Sequence, residues 1–351
     1  MKGNHYKAER DAYNVLASSF QGEYRSLEKA YRLHGSWEKA LQMARDGKTA
    51  SSVQKTENLE AKNIQLLMRD EPVFPAALRE IPWPPFALYI KGMLDANAPA
   101  IAIVGTRKAS AKSKAIAHRF AMELSKTGIT IISGLALGID RAAHEGALEA
   151  KGKTVAVLAN GLDRVYPREH ENLGKLILKS GGTLVSEYPP GSPSYPNRFI
   201  ERNRLISGLA LGILIIEVPA QSGALATARF ALEQNRDVFV VPGDIDNRNY
   251  DGSHELIKQG AALVTSPEDI LRAIGIERKP AALSFSGAGG ISSSLDETSI
   301  NVVTILKEAG SPLNLDEIAE RTKIETSNAS RTASLLMLQG IIKEENGKYY
   351  I

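Results

Sequence analysis

Residues that could hold a phosphate follow the first strongly apolar run in the middle of the chain. The run Ala100–Val104 leads into Gly105, Thr106 and Arg107, and a helical pattern follows. Backbone N–H groups at the start of a helix attract anions, and arginine adds a planar guanidinium suited to phosphate. The sequence therefore predicts a phosphate contact in this turn. A structural strand–helix turn with an exposed arginine is the alternative.

The same turn disfavours a nicotinamide cofactor. The dinucleotide fingerprint G-x-G-x-x-G is missing, and the second strand ends in Ser133 and Gly134 rather than near an acidic ribose ligand. Two Gly-Lys-Thr triplets, at Gly47 and Gly152, lack the upstream glycine of a P-loop. We expect no cofactor and no ATP hydrolysis.

The stretch RFIERNRLISG, residues 198–208, combines cations and an amide with one aromatic ring. Its candidate residues are Arg198, Phe199, Arg202, Asn203 and Arg204. Cations that neutralise phosphates beside a ring that stacks on a base are typical of a surface that binds single strands. The alternative is a helix start whose arginines pair with Glu187 and Glu201.

A third glycine-rich turn, SGLALGIDRAAHEGAL, contains Gly134 and Gly138 and leads into a helix with Asp140 and His144 four residues apart. The two side chains could form an acid–base or metal-like pair. We favour Asp140 as the helix N-cap and His144 as a surface residue. Since no third ligand follows at metal spacing, we expect no metal site.

Further candidates follow two other strands. Ser222, Gly223 and Thr227 open another helix and predict a second turn that receives an anion. Glu187 and Glu217 could be a pair of catalytic carboxylates, but isolated glutamates at strand ends more often pair with arginines. We expect no catalytic residues.

These turns need a sheet to position them. Seven short β-branched runs alternate with helical segments: AIAIVG, ITIISG, TVAVLANG, GTLVSEYP, GILIIEVP, DVFVVPG and AALVT. Runs without polar alternation are buried on both faces, which predicts an α/β fold with a doubly wound parallel sheet. In such a sheet, ligands bind beyond the carboxyl ends of the strands. The preceding FALYIKG is expected to be an edge strand.

The flanking segments differ in composition. We predict a small helical domain over residues 1–72, the α/β domain over 73–276, a Gly/Ser-rich linker over 277–297 and a winged helix over 298–351. Residues 296–351 carry 6 basic and 9 acidic side chains, which disfavours a transcription factor that reads duplex DNA. The chain has no cysteine, no signal-peptide core and no run long enough to span a membrane, so we expect a cytoplasmic protein.

The ordered motifs together resemble the DNA-processing protein A (DprA/Smf) family. They are FPAALREI, PPFALYIKG, IVGTRKAS, SGLALGIDRAAHEGAL, GLDRVYP, SEYPPG, RFIERNRLISGL, SGALATA, VFVVPG and LIKQGA. The resemblance implies an extended Rossmann fold that binds single-stranded DNA, protects incoming strands and helps load the RecA recombinase in natural transformation and recombination. It also implies a homodimer without enzymatic activity. A nucleotide-processing hydrolase with a related phosphate-binding fold is the alternative.

The resemblance also assigns residues. It implies DNA contacts at Gly105, Thr106, Arg107, Lys175, Phe199, Arg202, Asn203 and Arg204. It implies that the surrounding loops are shaped by Ser133, Gly134, Gly138, Asp140, Gly161, Ser222, Gly223, Thr227, Pro242 and Gly243.

Overall fold

The protein folds as two compact units, Met1–Lys279 and Pro280–Ile351. The computed structural model describes residues 2–46, 58–276, 297–338, 341–345 and 347–350. Among these residues, no helix combines the length and the apolar character needed to cross a bilayer.

A nine-stranded sheet forms the centre of the first unit. Its strands are β1 (Gln65–Met68), β2 (Ala87–Gly92), β3 (Ala100–Gly105), β4 (Thr130–Ser133), β5 (Thr154–Leu158), β6 (Thr183–Ser186), β7 (Gly212–Ile216), β8 (Asp237–Val240) and β9 (Ala262–Leu263). They lie in the order β1-β2-β6-β5-β4-β3-β7-β8-β9. Strands β3 to β9 are mutually parallel, whereas β1 and β2 run antiparallel to their neighbours. The prediction of a doubly wound α/β sheet is confirmed.

Helices cover both faces of this sheet. They are α1 (Lys2–Ser19), α2 (Tyr24–His34), α3 (Trp37–Asp46), α4 (Ala76–Arg79), α5 (Ala111–Lys126), α6 (Ile139–Glu149), α7 (Glu171–Lys179), α8 (Pro196–Gly208), α9 (Gly223–Glu233), α10 (Asp251–Lys258) and α11 (Pro267–Ala273). Alternate residues of β3 enter opposite cores, because successive side chains of a strand point to opposite faces. Ala102 and Val104 pack with α8 and α9, and Ile101 and Ile103 pack with α5 and α6.

The β1–β2 pair differs from the expectation. FALYIKG was predicted to be an edge strand, but β2 lies between β1 and β6. The edge is β1, which pairs Gln65 with Ile90 and Met68 with Ala87 inside the region predicted to be helical. Three of its four residues are buried. A run this short carries too little periodicity to separate a strand from a helix.

The N-terminal helices pack against one face of β2. The Trp37 ring meets the Phe86 ring edge-to-face at 5.2 Å between centroids, and the Tyr89 hydroxyl donates to Asn14 Oδ1 at 2.9 Å. Residues on both sides of the expected boundary at 72/73 therefore share one compact unit.

The described residues of the second unit form three helices and a three-stranded antiparallel sheet. Its elements are α12 (Glu297–Ala309), β10 (Leu313–Asn314), α13 (Leu315–Thr322), α14 (Thr326–Leu338), β11 (Lys343–Glu345) and β12 (Lys348–Tyr350). The sheet has the order β10-β12-β11. The winged helix stays a prediction. Residues 277–296 of the expected linker lie outside the described residues.

Candidate nucleic-acid interface

The strand order places a crevice between β3 and β7. Strands β4, β5 and β6 follow on one side of β3, whereas β7, β8 and β9 follow on the other. The connections after β3 and β7 therefore diverge, and ligands bind at such a switch point. A cavity of about 720 Å³ opens there between the turn after β3, the start of α6, helix α8 and the start of α9. We name it the switch-point cleft.

The turn after β3 is packed closely at Gly105 and against Gly138, which precedes α6. A Cβ atom on Gly105 would lie 2.1 Å from the Ile216 carbonyl oxygen. Gly138 has φ 83°, and its Cβ would lie 2.3 Å from the Thr106 carbonyl oxygen. These close approaches fix the turn so that Arg107 is exposed at the rim of the cleft.

Arg202 supplies a second guanidinium, held at the wall of the cleft. Its side chain is buried, and Nη1 donates to the carbonyl oxygens of Gly134, at 2.8 Å, and Val157. A Cβ atom on Gly134 would lie 2.7 Å from Nη1, so the glycine makes room for the guanidinium. Burial lowers the pKa of Arg202 to about 10, with the nearby Asp140 acting in the opposite direction. Arg202 is therefore charged at neutral pH.

Asp140 is not the N-cap that the sequence suggested. The N-cap position of α6 is Gly138, and Asp140 lies in the first turn. Its Oδ2 accepts from the backbone N–H groups of Gly134, at 3.0 Å, and Ala136, at 3.3 Å. Burial raises the pKa of Asp140, and Arg202 opposes this effect. The carboxylate thus orders the loop between β4 and α6.

His144 is fully buried, so the expectation of a surface histidine is wrong. Its Nδ1 lies 2.7 Å from Thr154 Oγ1, and this hydroxyl donates to the Ile131 carbonyl oxygen at 2.7 Å. Because the hydroxyl proton is already used, His144 Nδ1–H must be the donor. The residue ties α6 to the sheet.

Two aromatic rings lie beside the cations. The Arg107 Cζ is 5.0 Å and the Arg202 Cζ 5.9 Å from the centroid of the half-buried Phe199 ring. The Tyr166 ring lies 5.5 Å from Phe199 and is 45% exposed. Sequence reasoning missed Tyr166, although GLDRVYP places an aromatic after β5 at the same edge of the sheet.

The opposite wall is the start of α9. Ser222 is its N-cap, and Oγ accepts from the Ala224 N–H at 3.3 Å. Asn203 Nδ2 donates to the Gly223 carbonyl oxygen at 3.2 Å, which joins α8 to this turn. With Thr227, these residues line the cleft, so the two turns that the sequence predicts to receive anions face one cavity.

Arg204, expected from the resemblance to contact DNA, is not among the described residues that line the cleft. Its side chain is 1% exposed, and Nη2 lies 2.7 Å from both carboxylate oxygens of Glu187. The guanidinium also lies 4.6 Å from the Trp83 ring centroid. Helix positions i and i+2 are about 200° apart around the helix axis. Arg204 therefore points away from the side where Arg202 lies.

Arg198 is buried as well, and it binds backbone. Its Nη1 donates to the Pro193 carbonyl oxygen at 2.7 Å and its Nη2 to the Gln21 carbonyl oxygen at 2.5 Å. This arginine therefore fastens α8 to the turn between α1 and α2.

Lys175 lines a neighbouring cavity of about 700 Å³ rather than the cleft. The two cavities share Tyr166 and Ser194. Lys175 Nζ lies 2.9 Å from Glu171 Oε1, one turn away on α7. Its charge is thus partly neutralised within its own helix.

Other residues that were expected to shape the loops make contacts within the fold. Ser133 Oγ donates to the Ile103 carbonyl oxygen at 2.7 Å and ties β4 to β3. Gly161 packs against the Pro189 carbonyl oxygen, and Gly243 packs against the Tyr250 ring. These two glycines and Pro242 are not among the described residues that line the cleft.

The strand-end glutamates do not form a pair in the cleft. Glu217 is fully buried, and Oε2 accepts from the Ser110 N–H and hydroxyl, both at 2.8 Å. Glu187 is engaged by Arg204. Among the described residues that line the cleft, Asp140 is the only acid. The carboxylate pair that the hydrolase alternative requires is therefore not formed by these residues.

Comparisons with known proteins agree with this architecture. A model of the family described as DNA recombination-mediator protein A matches residues 65–275. The chain is 45% identical over 214 residues to the protein Smf of Escherichia coli K12, an alignment that covers 61% of this chain. The X-ray structure of DNA processing protein A from Streptococcus pneumoniae gives a TM-score of 0.59 at 30% identity, over 76% of this chain and 95% of that one.

The structure of DNA processing protein A from Helicobacter pylori gives a TM-score of 0.54 at 29% identity, over 60% of this chain and 95% of that one. The chain spans just over half of its curated relatives from Escherichia coli and Synechocystis, 57% and 56% of their lengths. Because the family model covers more than half of its 351 residues, the chain belongs to the DNA recombination-mediator protein A family, also called DprA or Smf.

Proposed function

We propose that this protein binds single-stranded DNA in the switch-point cleft without catalysing a reaction on it. The observation that carries the proposal is the exposed Arg107 at the rim, beside the Phe199 ring and close to the buried Arg202. A guanidinium binds phosphate through paired N–H groups. Among the described residues, Arg107 has no ion pair or side-chain hydrogen bond that would compete with a ligand.

The cleft favours an unpaired strand over a duplex. The exposed ring of Tyr166 and the half-buried ring of Phe199 lie beside the cations, so a base must leave its partner to stack on them. A duplex would offer the cleft only its backbone. The related protein from Helicobacter pylori is described by its single-stranded DNA binding mode, which supports this choice.

We also propose the wider role implied by the family. The protein would act in the cytoplasm as a homodimer that protects incoming strands. It would help to load the RecA recombinase during natural transformation or recombination. The support is the identity of 45% to Smf and the matching family of recombination mediators. A cleft that grips the backbone and stacks on bases suits this role, because such contacts tolerate any sequence.

The test is the affinity of Arg107→Ala for oligothymidylate, measured by fluorescence anisotropy over a salt series. Loss of a charged hydrogen-bonding group is expected to weaken binding by about 1.5–3 kcal/mol. The salt dependence should become shallower, by about 0.7 in the log–log slope for one phosphate on a single strand. The matched control is Arg229→Ala, an exposed arginine on α9 that is not among the residues lining the cleft.

Four results would contradict the proposal. Arg107→Ala could bind as tightly as the unaltered protein, or a duplex of equal length could bind as well as the single strand. Release of free base from nucleoside monophosphates by the unaltered protein would refute its non-catalytic part. An equal loss of affinity in Arg229→Ala would show that the effect of Arg107→Ala reflects only the net charge of the protein.

A further inference from the structure

A second groove adjoins the switch-point cleft at Arg107. It lies between α5 and α6 and encloses about 700 Å³, and we name it the α5–α6 groove. Arg107 lines both cavities. Gly138, which contacts the backbone of Thr106 and Arg107, also lines the groove. The same turn therefore forms the boundary that the two cavities share.

Lysine and arginine outnumber acids three to one in the described lining of the α5–α6 groove. Besides Arg107 it contains Lys114 and Arg141, with Glu145 as the only acid. Lys114 is exposed and, like Arg107, has no ion pair among the described residues. Arg141 Nε lies 2.8 Å from Glu145 Oε1, and both side chains are exposed, at 55% and 40%. An exposed pair of this kind is weak enough for a phosphate to compete with it.

The neighbouring Lys175 cavity provides a contrast. It is lined by four cations and three acids: Lys91, Arg164, Arg168, Lys175, Asp163, Glu169 and Glu171. Lys175 pairs with Glu171 at 2.9 Å, and Arg164 lies 3.6 Å from Asp163. Lys175 and Arg164 have carboxylates nearby, and the Lys, Arg, Asp and Glu side chains that line this cavity sum to a charge of +1, against +2 in the α5–α6 groove. This cavity therefore attracts a polyanion less than the groove does.

Size gives an independent reason to look beyond the cleft. A site of roughly 300–1,000 Å³ encloses one drug-sized ligand. Each of the two cavities falls in this range, at about 720 and 700 Å³. Either one holds about one or two nucleotides on this scale. A polynucleotide must therefore leave the cleft, and it leaves past the residues at its rim.

We infer that the α5–α6 groove is a second subsite for the polynucleotide: a strand held in the cleft continues past Arg107, and its phosphates contact Lys114 and Arg141. The inference rests on the proposed function and adds the route of the strand. It requires that these side chains affect only strands long enough to reach the groove.

The test compares two oligothymidylates, of about three and about twelve nucleotides, by fluorescence anisotropy at low salt. Lys114→Gln is expected to lower the affinity for the long strand about three- to tenfold and to leave the affinity for the short strand unchanged. Its salt slope for the long strand should fall by about 0.7. The matched control is Lys112→Gln, which removes the same charge from an exposed position on α5 that is not among the residues lining the groove.

A gain of affinity provides a second measurement that misfolding cannot imitate. Glu145→Gln removes the acid from the groove and releases Arg141. This substitution should raise the affinity for the long strand about two- to fivefold and leave the affinity for the short strand unchanged.

The results separate this inference from the proposed function. If the unaltered protein binds neither strand, the proposed function fails. Another result is that Arg107→Ala lowers the affinity for both strands while Lys114→Gln and Glu145→Gln change neither affinity. That result would support the proposed function of the cleft and overturn the groove inference. Equal effects of Lys114→Gln and Lys112→Gln would also overturn it, because they would show an unspecific charge effect.

Discussion

Helix α8 separates two polar regions with similar residues and different roles. On one side, Phe199 and Arg202 line the switch-point cleft with Arg107. On the other, Arg204 is 1% exposed and lies against both oxygens of Glu187, beside Trp83. Both regions combine arginine with aromatic rings.

The difference lies in the partners that each guanidinium finds within the chain. Arg204 has a buried carboxylate, so its charge serves the fold. Arg107 is exposed and has no ionic partner among the described residues. Arg202 is intermediate, since it binds two carbonyl oxygens and still lines the cleft. A basic motif therefore shows that cations are present, and the structure shows which of them can meet a ligand.

The largest expected effect tests the buried side. Arg204→Ala leaves Glu187 buried without its partner, and breaking such a pair destabilises a protein by about 3–5 kcal/mol. We expect this loss in the free energy of unfolding, measured with urea. The affinity of the folded variant for oligothymidylate should not change.

Two controls sharpen this test. Arg204→Met combined with Glu187→Leu removes both charges and should recover most of the stability, since apolar replacement of a buried pair is often neutral. Arg107→Ala should change the unfolding free energy by no more than about 0.5 kcal/mol. A folded Arg204→Ala protein with weakened DNA binding would show that the two regions are not separate.

The next effect tests the cleft side. Tyr166→Ala is expected to weaken oligothymidylate binding by about 1–3 kcal/mol, the range for one stacked base. Tyr195→Ala is the control, because both tyrosines are 45% exposed but Tyr195 is not among the residues lining the cleft. Equal affinities of the two variants for oligothymidylate would show that Tyr166 does not contact the strand.

Much of the fold follows from the sequence. Seven apolar runs, each followed by a turn and a helical segment, predicted the seven parallel strands, because strands buried on both faces show no polar alternation. Strand β1 was missed because Gln65–Met68 is too short to show a period and pairs with a strand some twenty residues later.

The site was harder to predict than the sheet. The turns at Gly105–Arg107 and Ser222–Gly223 line one cleft, as expected from the rule that parallel strands bring their carboxyl ends to one edge. The sequence left two interpretations open for Arg204, a DNA contact or a pair with Glu187, because spacing alone does not reveal which cations are paired across different elements. The same holds for His144, whose burial depends on the packing of α6 against Thr154.

The effect expected to be smallest near neutral pH is the titration of His144 in the buried layer. Burial, with smaller contributions from His170 and Arg202, lowers the pKa of His144 to about 3. The unfolded chain binds a proton near pH 6.5, whereas the folded protein does so only near pH 3, so unfolding takes up a proton between these values. This contribution to stability is complete above about pH 6.5 and falls by roughly 1.4 kcal/mol per pH unit as the solution is acidified towards pH 3. In His144→Asn, the amide can still donate to Thr154 Oγ1 but does not titrate. Urea unfolding between about pH 6.5 and 4.5 should therefore show a shallower slope in the variant, by up to one proton, and equal slopes would show that His144 is protonated in the folded state.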